Sequence, residues 1–238
     1  MLEQDTICAL SSPPGVGAIA VVRLSGPDAL AITRRCSDLR GNIISRTAYF
    51  CKVKDEAGEV DEGLITWFKG PASYTGEDVV EIGVHGSPYV QQRVLTALTA
   101  AGARIARPGE FTLRAFLNRK LDLSQAEAVA DLIASQGAAA HRLALQQLRG
   151  GYSERIEELR QRLIDFSALI ELELDFSEED VEFAKRDDLL VLLDELTTIC
   201  TELISSFRYG NAVKSGVPVA IIGAPNSGKS TLLNALLQ

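Results

Sequence analysis

The sequence predicts an α+β protein: a domain of mixed strands and helices, then a bundle of long helices, then the opening strand and loop of a second α/β unit. Short apolar runs rich in β-branched residues alternate with helical segments over the first 120 residues, and the later pattern is helical. The charge changes as well. Residues 1–150 hold 16 acids and 16 bases, whereas residues 151–208 hold 16 acids and 6 bases. We therefore expect the architecture to change near residue 150.

The mixed part is predicted to contain five strands. Apolar runs bounded by Gly, Pro and Ser place them at Gly17–Leu24, Tyr49–Val53, Leu64–Phe68, Val79–Val84 and Arg104–Ala106. Helices are expected between them, because Pro27 and Pro108 suit a first helical turn and Gly102 suits a helix end. These signals predict helices from Pro27 to Cys36, from Val90 to Ala101, and after Pro108-Gly109-Glu110.

The following part is predicted to form three long helices. Ser124-Gln125-Ala126-Glu127 has the spacing of a capping box, and the Ala-rich helix behind it should run to Gly150-Gly151. Apolar residues at helical spacing then predict helices over Ser153–Asp175 and Asp187–Phe207. The acidic excess is expected on their solvated outer faces.

Composition excludes several classes of protein. A hydrophobic content of 46%, a charged content of 24% and a net charge of −8 are typical of an ordinary globular chain, not of a disordered one. No apolar run approaches the ~20 residues of a membrane span. The four cysteines form no C-x-x-C pair, so reduced thiols and a cytoplasmic location are expected. Net acidity predicts weak nucleic-acid binding by the chain itself.

One motif is highly specific. Residues 217–222 (VPVAII) read as a buried strand, and Gly223–Ser230 (GAPNSGKS) fits the phosphate-binding pattern G-x-x-x-x-G-K-[ST], with a helix after it. Backbone N–H groups of such a loop surround phosphate oxygens. Lys229 is expected to reach the β- and γ-phosphates, and the Ser230 hydroxyl is expected to ligate Mg²⁺.

The other parts of a nucleotide-hydrolysing domain are not expected in this chain. Only 8 residues follow Ser230, whereas such a domain needs further parallel strands, a second Mg²⁺ carboxylate and a base-reading loop. We therefore expect a fragment that does not hydrolyse a nucleotide by itself, and its catalytic residues are unknown.

Four segments together resemble a known family. Gly223–Leu237 (GAPNSGKSTLLNALL) is similar to the phosphate loop of translation-factor-related GTPases. Ser12–Gly15 with Ala18–Gly26 (AIAVVRLSG), Ser73–Glu81 (SYTGEDVVE) and Arg107–Asp131 (RPGEFTLRAFLNRKLDLSQAEAVAD) resemble the tRNA modification GTPases of the MnmE type. The resemblance is colinear and covers essentially all 238 residues.

The resemblance implies three regions. Residues 1–119 would form a folate-binding and dimerisation domain similar to tetrahydrofolate-dependent aminomethyltransferases. Residues 120–214 would be the first part of a helical domain, and residues 215–238 the start of a GTPase domain. The family installs an aminomethyl or carboxymethylaminomethyl group on C5 of the wobble uridine of certain tRNAs. It does so as a homodimer with an MnmG-type FAD-dependent partner in a heterotetramer, using a folate-linked one-carbon unit, GTP, Mg²⁺ and K⁺.

The resemblance also assigns site residues. Arg23, Glu81 and Lys120 would contact 5-formyltetrahydrofolate or its methylene form: a carboxylate suits the donor edge of a pterin, and the two cations suit the anionic glutamate tail. In the phosphate loop the nucleotide contacts would be Asn226, Ser227, Gly228, Lys229, Ser230 and Thr231, with Ser230 on Mg²⁺ and Asn226 on K⁺. Arg119 departs from the family, because a Gly or small polar residue is common there. His85 and His141 receive no role.

The residues by themselves leave two other functions possible. The chain could be a stand-alone folate-dependent one-carbon transferase, in which the phosphate loop is irrelevant. It could also be a non-catalytic, folate-sensing dimerisation module of a regulatory GTPase. Folate turnover without GTP would indicate the first, and an unchanged wobble uridine in a deletion strain would indicate the second.

Overall fold

The computed structural model describes residues 5–151, 153–175, 185–215 and 219–236. The chain divides into two compact units, one up to Val129 and one from Ala130 onward. In chain order the elements are β1 (Ile7–Leu10), β2 (Ile19–Ser25), α1 (Ala29–Arg35), β3 (Ala48–Asp55), β4 (Gly58–Phe68), β5 (Val79–His85), α2 (Pro88–Ala100), β6 (Arg104–Ile105), α3 (Glu110–Leu117), α4 (Leu123–Ala134), α5 (Ala138–Leu148), α6 (Ser153–Asp175), α7 (Arg186–Ser215) and α8 (Lys229–Leu236).

The first unit is built on a six-stranded sheet with the order β3-β4-β5-β2-β1-β6. All neighbouring strands are antiparallel except β1 and β6, which pair in parallel. A short β-turn allows the long hairpin of β3 and β4, while β6 reaches β1 only after the helical crossover that a parallel pair requires. The sheet is therefore antiparallel except at the β1–β6 edge.

One face of this sheet packs against helices to form the core. Alternate residues of the central strands, including Val22, Leu24, Val80 and Ile82, are at most 1% exposed and lie in one apolar cluster with Val94 and Leu98 of α2. Successive side chains of a strand point to opposite faces. Consequently Arg23 and Glu81, which alternate with these residues, lie on the other face of the sheet.

The predicted strands and helices of the first unit are present, with shifted ends. The hairpin turn at Glu56–Gly58 is also confirmed, although β4 begins six residues earlier than predicted. Strand β1 was not predicted. Its four residues, ICAL, are too few to show a periodic pattern, and the strand exists because Ile7 and Cys8 pair with β2 on one side and β6 on the other.

In the second unit, the single Ala-rich helix predicted up to Gly150-Gly151 was wrong. The helix ends before residues 135–137, and a new helix, α5, begins at Ala138. Gly137, the N-cap of α5, has an extended conformation that interrupts the helix. Helix α6 matches its predicted bounds, and α7 continues eight residues beyond the predicted end at Phe207. Helices α6 and α7 pack through Phe166 and Leu192.

The predicted capping box is two residues too late. Helix α4 begins at Leu123, and the reciprocal bonds join Asp122 and Gln125: the Gln125 N–H donates to Asp122 Oδ1 at 2.8 Å, and the Asp122 N–H donates to Gln125 Oε1 at 2.9 Å. Asp122-Leu123-Ser124-Gln125 has the same spacing with an equally good cap residue. Two overlapping patterns were available, and the structure uses the earlier one.

The strand predicted over 217–222 is not present at Val219–Ile222, and residues 217 and 218 lie outside the described residues. Val219 and Ile222 are 81% and 91% exposed. A strand needs a neighbour for its backbone groups, and the described sheet does not extend to this segment. Among the described residues, no helix is long and apolar enough to cross a membrane.

Candidate functional site

Arg23 and Glu81 meet on the open face of the sheet. They occupy opposed positions on the neighbouring strands β2 and β5. The guanidinium donates from Nε and Nη2 to the same carboxylate oxygen, Glu81 Oε1, at 3.0 and 2.6 Å. Both side chains are partly accessible, at 25% and 31%. The second oxygen, Oε2, accepts no hydrogen bond from the residues described, so it is available to a ligand.

Two aromatic rings lie beside this pair. The Arg23 guanidinium carbon is 5.2 Å from the centroid of Tyr74 and 5.8 Å from that of Phe111, within the usual cation–π range. The Tyr74 hydroxyl forms a 2.9 Å hydrogen bond with the hydroxyl of Thr112. The rings therefore come from two elements, the loop before β5 and helix α3, which are joined at this point.

The loop that carries Tyr74 is fixed by a buried polar network. Thr75 is fully buried, and its hydroxyl lies 2.6 Å from that of Ser25. The Ser25 hydroxyl also donates to Glu77 at 2.7 Å, and Arg114 of α3 donates to the same carboxylate at 3.1 Å. Asn118 donates to the Thr75 carbonyl at 2.8 Å. Because every hydroxyl of the network has a partner, the loop position is well determined.

Lys120 lies against this loop at Gly76. A Cβ placed on Gly76 would be 3.2 Å from Lys120 Cγ and 3.1 Å from Asn118 Cβ. Gly76 also has a φ of +80°, a conformation that favours glycine. The Lys120 stem thus packs on the loop backbone, and the exposed ammonium lines a cleft of about 560 Å³.

These positions bear on the site residues predicted from the sequence. The structure brings Arg23 and Glu81 into direct contact and connects Lys120 to them through the loop of residues 74–76. Arg23 and Glu81 therefore lie at one point of the sheet, and Lys120 lies apart from them at Gly76. The roles expected of the three residues towards a folate stay predictions.

The sequence does not single out the residues that surround the pair. Tyr74, Thr75 and Glu77 lie within one segment that resembles the family, and Phe111 and Arg114 lie within another. No periodic signal marks them, because they come together only when the loop and α3 pack on the sheet. An aromatic residue beside a run of hydroxyl and acidic residues was the one available cue.

A cluster of charges anchors α3 beside this site. The Arg104 guanidinium donates to Glu110 at 2.5 and 3.1 Å, and the Arg107 N–H donates to the same carboxylate at 2.7 Å. The Arg104 hydrogen bonds, with the Arg107 N–H, hold the pKa of Glu110 at about 2 against the opposing effect of burial. Asp5 bridges Arg104 and Arg114, which also lowers its pKa. The side chain of Arg114 is only 3% exposed.

The phosphate loop has the turn that its sequence requires. Asn226 and Gly228 have φ values of +61° and +81°, and the Ser227 N–H donates to the Ala224 carbonyl at 3.3 Å. A Cβ on Gly223 would lie 2.8 Å from Ser227 Oγ, so a side chain there would require the Ser227 hydroxyl to move.

The P-loop lysine and hydroxyls lie at the start of the following helix. The Lys229 ammonium donates to the carbonyls of Gly223 and Ala224 at 3.0 and 2.6 Å, which places it over the loop. Ser230 and Thr231 lie in the first turn of α8, where helix N–H groups favour anions. The loop thus offers a cation, backbone donors and a hydroxyl to a phosphate chain with Mg²⁺.

The other reactive groups that the structure describes do not form a second cluster. His85 contacts the Asp61 carboxylate through Nδ1 at 2.9 Å and through its backbone N–H at 2.7 Å. Burial opposes ionisation of Asp61, but these bonds outweigh it and lower its pKa. Burial raises the pKa of the Cys8 thiol to about 11. In the described ranges, no group of three or more His, Cys, Asp or Glu residues could hold a metal ion.

Three family models match successive parts of the chain. The model described as GTP-binding protein TrmE N-terminus matches residues 6–120, that of the MnmE helical domain matches residues 123–218, and that of a 50S ribosome-binding GTPase matches residues 218–238. The order is therefore a sheet domain, a helical domain and the start of a GTPase domain.

Curated relatives match over the whole chain. Proteins named tRNA modification GTPase MnmE are 54% identical in Christiangramia forsetii and 53% identical in Bacteroides thetaiotaomicron, each over 100% of this chain and 51% and 52% of the relative. The protein of the same name from Cytophaga hutchinsonii is 54% identical over 98% of this chain and 51% of its own length. The chain thus spans about half the length of the curated relatives it matches. It belongs to the family of MnmE tRNA modification GTPases.

Proposed function

We propose that this chain supplies the folate-binding and phosphate-binding parts of a GTP-hydrolysing tRNA modification enzyme. The observation that supports the folate part is the Glu81 carboxylate held by Arg23 between β2 and β5, beside the rings of Tyr74 and Phe111. Family membership and the loop at Gly223–Ser230 support the GTPase part.

The donor set fits a reduced folate. A pterin carries an exocyclic amine and a ring N–H on one edge, and the open Oε2 of Glu81 is a suitable acceptor for them. Tyr74 and Phe111 offer apolar faces for a flat heterocycle. Lys120 offers an exposed cation to the carboxylates of the glutamate tail. When bound, the folate would supply a one-carbon unit, while the residues of this chain bind and orient it.

The nucleotide part would act in the longer protein. Lys229 and the backbone of residues 226–231 would hold the β- and γ-phosphates of GTP, Ser230 would ligate Mg²⁺, and Asn226 would ligate K⁺. We propose residues 1–119, 120–214 and 215–238 as the folate-binding, helical and GTPase regions. These 238 residues alone are expected to bind folate and not to hydrolyse GTP.

The pathway and partners are proposed from family membership. The longer protein would act as a cytoplasmic homodimer formed through the N-terminal domain. With an MnmG-type FAD-dependent partner in a heterotetramer, it would modify C5 of the wobble uridine of tRNA. The acidic balance of this chain, −8 overall, favours tRNA binding that is weak or depends on the partner. Loss of the wobble-uridine modification in a deletion strain would support this pathway, and an unchanged nucleoside would contradict it.

The folate site is tested by calorimetric titration of the chain with 5-formyltetrahydrofolate. Glu81→Gln keeps the size of the side chain but replaces the carboxylate, which would accept the two pterin donors, with a neutral amide. We expect its affinity to fall by about tenfold or more, since a charge-assisted hydrogen bond contributes ~1.5–3 kcal/mol. The matched control is Glu59→Gln on β4, whose side chain is 50% exposed and pairs with Lys52. If the folded parent binds the folate and Glu81→Gln binds it with the same affinity, the proposed site is refuted.

A further inference from the structure

Helix α3 ends in a turn that presents two cations side by side. Arg119 has a φ of +57°, in the left-handed region, and its N–H donates to the Phe116 carbonyl at 3.0 Å. The Lys120 N–H donates to the Ala115 carbonyl at 2.8 Å. Both side chains are exposed, and both line the cleft of about 560 Å³. The backbone of the helix end therefore sets this pair of cations in one cleft.

The other residues that line the cleft do not cancel its positive charge. Its apolar part comes from the side of α3 and the residue after Lys120, namely Phe116, Leu117 and Leu121. Its one acid is Asp122, whose Oδ1 accepts the Gln125 N–H as the cap of α4. Within the described part of the chain, neither Arg119 nor Lys120 forms an ion pair. In a chain of net charge −8, these two cations favour an anion with more than one carboxylate.

The cleft adjoins the proposed folate site through one short segment of backbone. Gly76 packs against the Lys120 stem, and Tyr74, two residues earlier, lies beside the Arg23 guanidinium. Two residues of chain span at most about 7 Å. A ligand whose ring meets Glu81 and Tyr74 can therefore extend along this segment towards Lys120, and Arg119, the residue before Lys120, lines the same cleft.

We infer that this cleft binds the oligoglutamate tail of a polyglutamylated folate, and that Arg119 determines the preference for the longer tail. The inference rests on the proposed folate function. Each further γ-linked glutamate adds one carboxylate, and one ammonium cannot neutralise several of them. The guanidinium of Arg119 supplies a planar donor fork that matches a second carboxylate. The preferred ligand class is thus a reduced folate with several glutamates.

The test compares two ligands with the same pteridine. The whole chain is titrated calorimetrically with the monoglutamate and the pentaglutamate of 5-formyltetrahydrofolate, at low and high salt. Arg119→Asn removes the cation with a residue that tolerates the left-handed conformation. Arg40→Asn, on the exposed segment between α1 and β3, removes the same charge outside the cleft. Free pentaglutamate, which lacks the pteridine, is titrated as well.

The parent and Arg40→Asn are expected to bind the pentaglutamate about fivefold more tightly than the monoglutamate, the upper end for an exposed ion pair. Arg119→Asn should reduce this ratio towards one without weakening the monoglutamate, and high salt should do the same. If the parent binds the two folates equally, or if Arg119→Asn leaves the ratio of their affinities unchanged, the inference is overturned and the proposed folate function is not. Free pentaglutamate that binds as well as the folate would also overturn the inference. Failure of a folded parent to bind either folate would overturn the proposed folate function as well.

Discussion

The carboxylate of Glu110 is predicted to make a large, pH-dependent contribution to the stability of the sheet domain. Its side chain is 9% exposed, and it accepts hydrogen bonds from Arg104, Arg107 and Arg114. The Arg104 hydrogen bonds, the largest effect, hold its pKa at about 2, against an ordinary value of 4.5. Each unit of pKa difference between the folded and unfolded states corresponds to about 1.4 kcal/mol, so Glu110 contributes up to about 3 kcal/mol to the free energy of unfolding at neutral pH.

The sign follows from which state binds the proton. The folded pKa is lowered, so the contribution is complete above pH 4.5 and is lost as the pH falls from 4.5 through 2. Glu110→Gln removes the ionisation and should lower the free energy of unfolding by up to about 3 kcal/mol at pH 7. The deficit relative to the parent should shrink to about half of this at pH 3.

Urea unfolding followed by tryptophan fluorescence measures this effect. Trp67 on β4 is the one tryptophan in the sequence, so its signal reports on the sheet domain. Carboxyls outside this cluster titrate equally in both proteins and cancel in the comparison, whereas Asp5 and Glu77, which share Arg104 or Arg114 with Glu110, can add to the difference. Glu59→Gln, which disturbs an exposed pair, should change little at either pH. A deficit for Glu110→Gln below about 1 kcal/mol at pH 7, or one that does not change with pH, would refute the reasoning.

Three further variants test other parts of the structure. Gly63→Ala would place a Cβ 1.9 Å from the Gly83 carbonyl oxygen and should destabilise the sheet domain towards the upper end of ~1–3 kcal/mol; an unchanged urea midpoint would contradict this. Asp122→Ala removes the α4 cap, worth about 1 kcal/mol, and should speed amide exchange at Gln125 about fivefold; equal rates would show that the cap contributes nothing. Thr75→Val breaks the hydroxyl contact with Ser25 and should weaken binding of 5-formyltetrahydrofolate severalfold in a protein that stays folded; unchanged affinity would mean that the loop needs no such support.

Local signals in the sequence predicted strands and helices best where the elements are long. Helix α6 has its predicted bounds, because a long amphipathic repeat between a double glycine and an acidic segment leaves little choice. Strand β1 escaped prediction because four residues carry no periodicity. The break before α5 escaped it because a single glycine in an Ala-rich run is compatible with a continuing helix.

The phosphate loop was the part of the candidate sites that the sequence alone determined. Its residues are contiguous from Gly223 to Ser230, so their spacing along the chain also sets their spacing in space. The positive φ of Asn226 and Gly228 and the position of Lys229 over the loop agree with that pattern. The strand before the loop was not determined in this way, since a strand requires a partner elsewhere in the fold.

The proposed ligand site depends on tertiary structure. Arg23 and Glu81 are 58 residues apart in the sequence, and only the register of β2 against β5 sets them opposite each other. Tyr74 and Phe111 join them through packing of a loop and a helix on the same face. The sequence names Arg23 and Glu81 separately and does not show that they touch. The hydrogen bonds between their side chains are decided by the tertiary structure, because contacts between distant strands follow from pairing and packing, which local spacing does not encode.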